Sequence, residues 1–280
     1  MRKSIDIAIA TFGIRIEWVE RMLLPPIEGV RYVISWQRHE GMPLPEGLEC
    51  RGDVEVWRLD EEGVSRNRNN ALSHCRSGLV VVADDDLVFR KEDLEGVADA
   101  FADQPSIDVA LFRADMPGGK RYPSSNCRLG LPFPKGYWVS CVEIVFRRDR
   151  IGDLQFHPGF GPGADVLGFG RMMLGCGEDE MFVVSAIRRG YDCRYIDRRL
   201  CAHPQPSTGG RATAPILRGQ GAVMSMIYSP VSLLLRIPLK AWRASRNGTI
   251  NLPTALRALI EGVRAKRKLL AYPSRYHWKL

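Results

Sequence analysis

The chain has 280 residues, 45% of them hydrophobic and 26% charged, and a formal net charge of +8 at pH 7. This composition suits one large globular domain, or one domain with an appendage; it excludes a largely disordered chain, a collagen-like chain and a polytopic membrane protein. Seven dispersed cysteines without a C-x-x-C pair exclude a zinc ribbon and a disulfide framework, and they fit a reducing compartment.

Met1-Arg2-Lys3-Ser4 leads into Ile5–Ala10, which reads as a first strand. The run is too short for a signal peptide's apolar region, so the expected location is the cytoplasm. Ile14, Trp18 and Met22 recur at four-residue spacing and predict a helix that Pro25-Pro26 stops. Val30–Trp36 and Val54–Leu59 read as the next two strands, and Ser65 as the cap of a helix carrying Leu72 and Cys75. Leu79–Ala83 is continuously apolar, as a strand buried on both faces requires, and it runs directly into three aspartates. Leu94, Val97, Ala98 and Phe101 mark one face of the following helix, with Pro105 beyond its end. This alternation predicts an α/β fold with a mainly parallel sheet flanked by helices.

Ile107–Phe112 and Val139–Phe146 read as further strands. Between them, the Pro-, Gly- and Ser-rich stretch 116–136 is expected to be either an acceptor lid or a plain surface loop. A helix is predicted from Glu178 to a left-handed cap at Gly190, then a short strand Tyr191–Ile196, then turns over Leu200–Gly210. The expected division is a catalytic domain over 1–210 and a basic helical extension over 211–280.

The extension carries 13 Lys and Arg against the single acid Glu261, hence +12, which leaves −4 for residues 1–210. Such asymmetry suggests an anionic partner. Gly219–Leu235 is uncharged for 17 residues but contains Pro230 and two glycines. A spanning helix needs about 20 apolar residues, so this segment reads as packed or interfacial. Pro253 opens an amphipathic stretch in which Leu256, Leu259, Ile260, Val263 and Leu270 oppose Arg257, Arg264, Lys266, Arg267 and Lys268. That stretch suits either an anionic membrane surface or a helix covering the domain. Trp242, Tyr272, Tyr276 and Trp278 form no RNA-binding motif, which argues against a nucleic-acid partner.

The chemistry gathers in four segments. Asp84-Asp85-Asp86 ends a buried strand, where open α/β sheets bind ligands. Three adjacent acids repel unless a cation sits among them, and a divalent ion with a phosphate ester satisfies that need. Gly175-Cys176-Gly177-Glu178-Asp179-Glu180 brings three acids to a helix start. They complement the helix dipole and supply a separate carboxylate able to act as general base. His203 follows a predicted strand and could complete a metal site with Asp86. In Ser65-Arg66-Asn67-Arg68-Asn69, two arginines two apart on a helix do not share a face, so at most one points at a ligand.

In order, Thr11-Phe12-Gly13-Ile14-Arg15, Gly63 to Asn69, Asp84-Asp85-Asp86, Gly177-Glu178-Asp179-Glu180 and His203-Pro204-Gln205-Pro206-Ser207-Thr208-Gly209 resemble the motifs of glycosyltransferase family 2. The likeness runs from about Ile5 to Gly209, on the GT-A fold, and its ending is similar to bacterial members that build surface polysaccharides. The resemblance implies an inverting transfer from a nucleoside-diphosphate sugar to a glycan or lipid-linked glycan; a peripheral place at the inner face of the cell membrane is what the basic tail suggests. Asp86 would hold Mn²⁺ or Mg²⁺ with help from Asp84 and His203. Asp85 would meet the ribose, with Thr11 and Arg68 near the nucleotide. Asp179 would be the base and Glu178 would help place the acceptor. The acid that family members often carry after the second strand is missing, and Gln37 or Glu40 stands in that region. Two other readings compete: a phosphatase of the haloacid dehalogenase type with Asp84 as nucleophile, and a non-catalytic protein that binds sugar nucleotides or polyanions.

Overall fold

The computed structural model describes residues 4–151, 153–164, 173–205, 212–246 and 248–271. Two compact units emerge, the first from 1–62, 66–154 and 186–206, the second from 63–65, 155–185 and 207–280.

The first unit is built on one mixed sheet. Its strands are β1 (Ile5–Phe12), β2 (Val30–Gln37), β3 (Val54–Leu59), β4 (Leu79–Asp84), β5 (Val109–Asp115), β6 (Cys127–Arg128), β7 (Ile144–Arg147) and β8 (Cys193–Ala202). They lie in the order β3-β2-β1-β4-β7-β5-β8-β6. The pairs β1–β2, β2–β3, β1–β4 and β5–β8 are parallel, whereas β7 runs antiparallel to both neighbours and β6 antiparallel to β8. The apolar run of β4 is buried from Leu79 to Ala83, as its composition requires. In register, Ala10 faces Asp84, Thr11 faces Trp36 and Gln37 faces Leu59, so the carboxyl ends of β1–β4 align along one edge. The helices in chain order are α1 (Ile16–Met22), α2 (Glu46–Glu49), α3 (Val64–His74), α4 (Lys91–Asp103), α5 (Arg148–Ile151), α6 (Glu178–Arg188), α7 (Ala214–Ile227), α8 (Pro230–Arg246) and α9 (Leu252–Leu270).

Three expectations shift. The predicted strand over Val139–Phe146 breaks into a 3-10 turn, Cys141–Glu143, and the short β7, because the Glu143 amide turns back to Ser140. The turn predicted from Leu200 begins later, because β8 continues to Ala202 and bridges to Val88. Ser207, Thr208 and Gly209 lie outside the described residues, as do Tyr272, Tyr276 and Trp278. Stretch 116–136 contains β6 and a buried anchor. Lys120, its side chain enclosed, pairs with Glu143, which also accepts from Tyr122 at 2.8 Å and Tyr137 at 2.9 Å. The Lys120 ammonium lies over the rings of Tyr122, Tyr137 and Trp138. Burial pushes Glu143 above the usual carboxylate range, opposed by Lys120 and the two tyrosines.

At the opposite edge of the sheet, buried Asp6 accepts from Arg31 Nε and Nη2 at 2.9 Å each, from Ser77 Oγ at 2.6 Å and from the amides of Arg76 and Ser77. Burial alone would raise its pKa, but these donors outweigh it and hold Asp6 below its ordinary value of 3.8. Asp6→Ala is therefore expected to destabilise the protein by about 3–5 kcal/mol, since it strands buried donors. The folded-state pKa is depressed, so the Asp6 contribution is complete above pH 3.8 and is lost as pH falls through the folded value. Urea unfolding of both proteins at pH 7 and pH 3 checks this: the gap between them should narrow at the lower pH.

The second unit contains more than the tail. Helices α7 and α9 cross closely: a Cβ at Gly262 would lie 2.0 Å from the Arg218 carbonyl oxygen, so only glycine fits. The α9 face formed by Ala255, Ala258, Leu259, Gly262, Ala265 and Leu269 is buried. That face joins α7 and α8 in one apolar cluster. Asn251 caps α9 by accepting from the Thr254 amide, with Pro253 in its first turn. The same unit holds Gly175–Glu180. The Gly175 amide donates to the Pro215 carbonyl at 2.9 Å, and Cys176 Sγ contacts the Ile216 carbonyl at 3.3 Å, so α7 supports the turn that starts α6. Among the described residues, no helix is long and apolar enough to cross a membrane.

Candidate active site

At the carboxyl edge of the first unit, the turn after β1 is held from three sides. Trp36 Nε1 donates to the Gly13 carbonyl at 2.9 Å, Asn67 Nδ2 donates to the Thr11 carbonyl at 2.7 Å, and Thr11 Oγ1 donates to Asp85 Oδ2 at 2.7 Å. Asp85 Oδ1 accepts from Arg15 Nη2. Both Asp85 oxygens are therefore engaged by this turn, and burial pushes its pKa up to about 6 against the pull of Thr11 and Arg15. Arg15 also stacks over Trp18, with its guanidinium carbon 4.6 Å from the ring centroid, and reaches Asp86 Oδ2 at 3.5 Å.

Arg68 points inward from α3 and donates to Asp84 Oδ1 at 2.9 Å and to Cys141 Sγ at 2.9 Å. The Cys141 thiol in turn lies 3.5 Å from Asp84 Oδ2. Burial raises Asp84, but Arg68 outweighs it and the carboxyl sits below the usual range. Arg66, the other arginine of the motif, pairs with Glu61 at 3.0 Å, as two arginines on different faces require.

Asp86 differs from its neighbours. Its Oδ1 is buried without a hydrogen-bond donor and forms a 3.5 Å contact with His203 Nε2. Burial pushes its pKa up, His203 pulls it down, the Asp84 charge raises it again, and the net shift is upward. The Val88–Ala202 bridge brings His203 here: the Val88 amide donates to Ala202 at 2.8 Å and the Ala202 amide to Val88 at 2.9 Å. His203 Nδ1 lies 2.6 Å from the Gln205 carbonyl, which can only accept, so Nδ1 carries the proton. In the neutral ring, Nε2 then presents a lone pair toward a carboxylate oxygen. That oxygen–nitrogen pair, with both groups anchored behind, suits a divalent ion, and a protonated ring would instead pair with Asp86 directly.

Among the described residues one group brings three ligand atoms within 4.8 Å of one another, His39, Glu40 and Asp60 after β2 and β3; Asp84, Asp86 and His203 do not form such a group. There His39 already pairs with Asp60 at 3.0 Å, and both acids are exposed. Gln37, in the region where an acid was missing, is buried and donates to the Glu61 carbonyl.

In the second unit, Glu178, Asp179 and Glu180 form the first turn of α6, the helix end where acids are favoured. Glu178 is buried and Asp179 half-buried. Gly177 has a φ of +109°, and a Cβ there would lie 2.6 Å from Val223 Cγ2. Only glycine makes this turn against α7. The Cys176 thiol beside it is pushed well above its ordinary pKa by burial and by Glu180 and Glu178.

Two site residues escaped the sequence reading. Arg15 was visible only as the end of the Thr11–Arg15 turn, with nothing to show that it closes on the aspartates. Cys141 carries no motif at all; only the β4–β7 pairing brings it to Asp84.

Residues 47–159 match the family model described as "Glycosyl transferase family 2". No curated protein matches the chain. Among solved structures, residues 1–349 of S. aureus TarS align with a TM-score of 0.52 at 14% identity, covering 99% of this chain and 94% of that one. The same fragment in complex with UDP-GlcNAc aligns with a TM-score of 0.50 at 13% identity and the same coverage. A further structure of S. aureus TarS aligns with a TM-score of 0.50 at 14% identity over 99% of this chain and 57% of that one. At such identity the likeness establishes the fold, which is GT-A. The match over residues 47–159 is to glycosyltransferases, which favours that reading over the phosphatase one.

Proposed function

We propose that this chain, a glycosyltransferase with a family 2 module on the GT-A fold, moves a sugar from a UDP-sugar to a glycan or lipid-linked glycan of the cell surface, inverting the anomeric centre. The observation that carries the metal-dependent part is the unpartnered Asp86 Oδ1 facing His203 Nε2 at the carboxyl end of β4. UDP as the donor nucleotide rests on the similarity to TarS, whose structure was determined with UDP and with UDP-GlcNAc.

Asp86 and His203 would hold Mn²⁺ or Mg²⁺. Asp84, tied to Arg68, assists by keeping that guanidinium at the strand end near the nucleotide. A divalent cation bound there supplies positive charge as the departing diphosphate becomes an anion. Asp85 acts through Thr11 and Arg15: it fixes the turn on which the nucleotide rests. Asp179 takes the proton of the acceptor hydroxyl as its oxygen bonds to the anomeric carbon and the bond to the diphosphate breaks. Glu178 helps place the acceptor. One base suffices because no covalent enzyme intermediate forms. On this reading, residues 1–210 form the catalytic region and 211–280 an extension.

Incubation with UDP-GlcNAc and Mn²⁺ over a cell-envelope acceptor fraction tests the proposal. UDP release with sugar incorporated into the fraction, abolished by chelation, supports it. UDP-sugars left intact under those conditions, while a GDP-, CDP- or TDP-sugar is consumed, would overturn the UDP assignment.

A further inference from the structure

Helix α8 has two apolar faces, and only one of them is inside the protein. Leu233, Ile237, Ala241 and Ala244 join the cluster that α8 shares with α7 and α9. At about 100° per residue, Val231, Leu234, Leu235, Leu239 and Trp242 fall on a second stripe. Val231, Leu234 and Leu235 are 74%, 73% and 79% exposed, with Leu239 and Trp242 close to half. Large apolar side chains exposed singly are ordinary, but five in one stripe along one helix mark a contact surface.

Charge identifies the partner. Along one side of the stripe run Arg236, Arg243 and Arg246, all exposed, and α8 contains no acid. Arg246 lies over the Trp242 ring, 5.0 Å from its centroid, and Arg236 over Tyr228 at 3.9 Å. The one acid of the extension, Glu261, is held by Arg218 at 2.7 Å and Arg257 at 2.9 Å. We infer that α8 is a membrane-contact helix, which lays this stripe into the interface of an anionic lipid bilayer while its arginines meet the headgroups. Leucines on the apolar side, an aromatic near the helix end and flanking arginines without acids are what such an interface selects. A protein groove of ordinary composition would not require a flank of one charge sign. The inference assigns the lipid surface to α8 rather than to the basic stretch of α9, whose inner face is already buried.

Vesicle flotation of the full chain tests it, since α7 supports the α6 turn and truncation of the tail would disturb more than the lipid surface. Wild type should float with phosphatidylglycerol-containing vesicles and not with pure phosphatidylcholine. L234E/L235E should lose flotation at least tenfold. R236Q/R243Q/R246Q should lose it by about two orders of magnitude at low salt. All these side chains are exposed, and circular dichroism should be unchanged in both variants. No flotation of wild type, equal flotation on neutral vesicles, or flotation that survives both variants would overturn the inference. So would a wild-type dimer that the leucine variant dissociates without any vesicle binding, because the stripe would then be a face for a second copy.

Discussion

An Asp179→Asn enzyme is expected to bind UDP with unchanged affinity and to transfer sugar about 10³-fold more slowly, the usual worth of a positioned general base. The substitution keeps the side-chain shape at the first turn of α6 and leaves Glu178 and Glu180 to complement the helix dipole. Stability should therefore change little, and the loss should appear in kcat. Glu178→Gln separates the two acids. A residue that places the acceptor should raise KM for it more than it lowers kcat. If Glu178→Gln loses kcat while Asp179→Asn transfers normally, the base is Glu178. Donor turnover at saturating acceptor in both variants makes the distinction.

Asp86→Ala should be as damaging to activity and yet harmless to stability. Asp86 carries a buried oxygen without a donor, and its charge is raised in energy by burial and by Asp84. Removing it relieves that repulsion, so the melting temperature should hold or rise while metal-dependent UDP binding and turnover fall by at least about 10³-fold. Asp85→Ala should behave in the opposite way. Thr11 and Arg15 would both lose their acceptor, so the turn after β1 would loosen and the melting temperature would fall. Thermal melts of the two variants side by side, with turnover on the same preparations, read this contrast. A large loss of stability in Asp86→Ala would mean that Asp86 is a structural acid.

Much of this was legible in the sequence because short-range pattern dictates it. The apolar run of β4 suited a strand buried on both faces, and the three aspartates after it suited the ligand edge of a sheet. Gly177 and the acids behind it announced a helix start. What stayed hidden depends on pairings far apart in the chain. Nothing local in Leu200–Ala202 shows that it continues β8; the Val88 bridge decides that, and the same bridge brings His203 to Asp86. Cys141 and Arg15 reach the aspartates for the same kind of reason. The 116–136 stretch has loop composition, yet Lys120 and Tyr122 close on Glu143, more than 20 residues away. In the extension, the helical period of α9 was readable, but α8 and the choice of buried face were not. Small residues let α9 approach α7 and take the interior, which leaves the leucines of α8 outside.

The most direct measurement of the central claim is a calorimetric titration of UDP into wild type and Asp86→Ala, each with Mn²⁺ and after chelation, with GDP, CDP and TDP as comparisons. The account predicts binding of UDP alone, dependent on the ion and lost in Asp86→Ala. UDP binding that is indifferent to both the ion and Asp86 would contradict it.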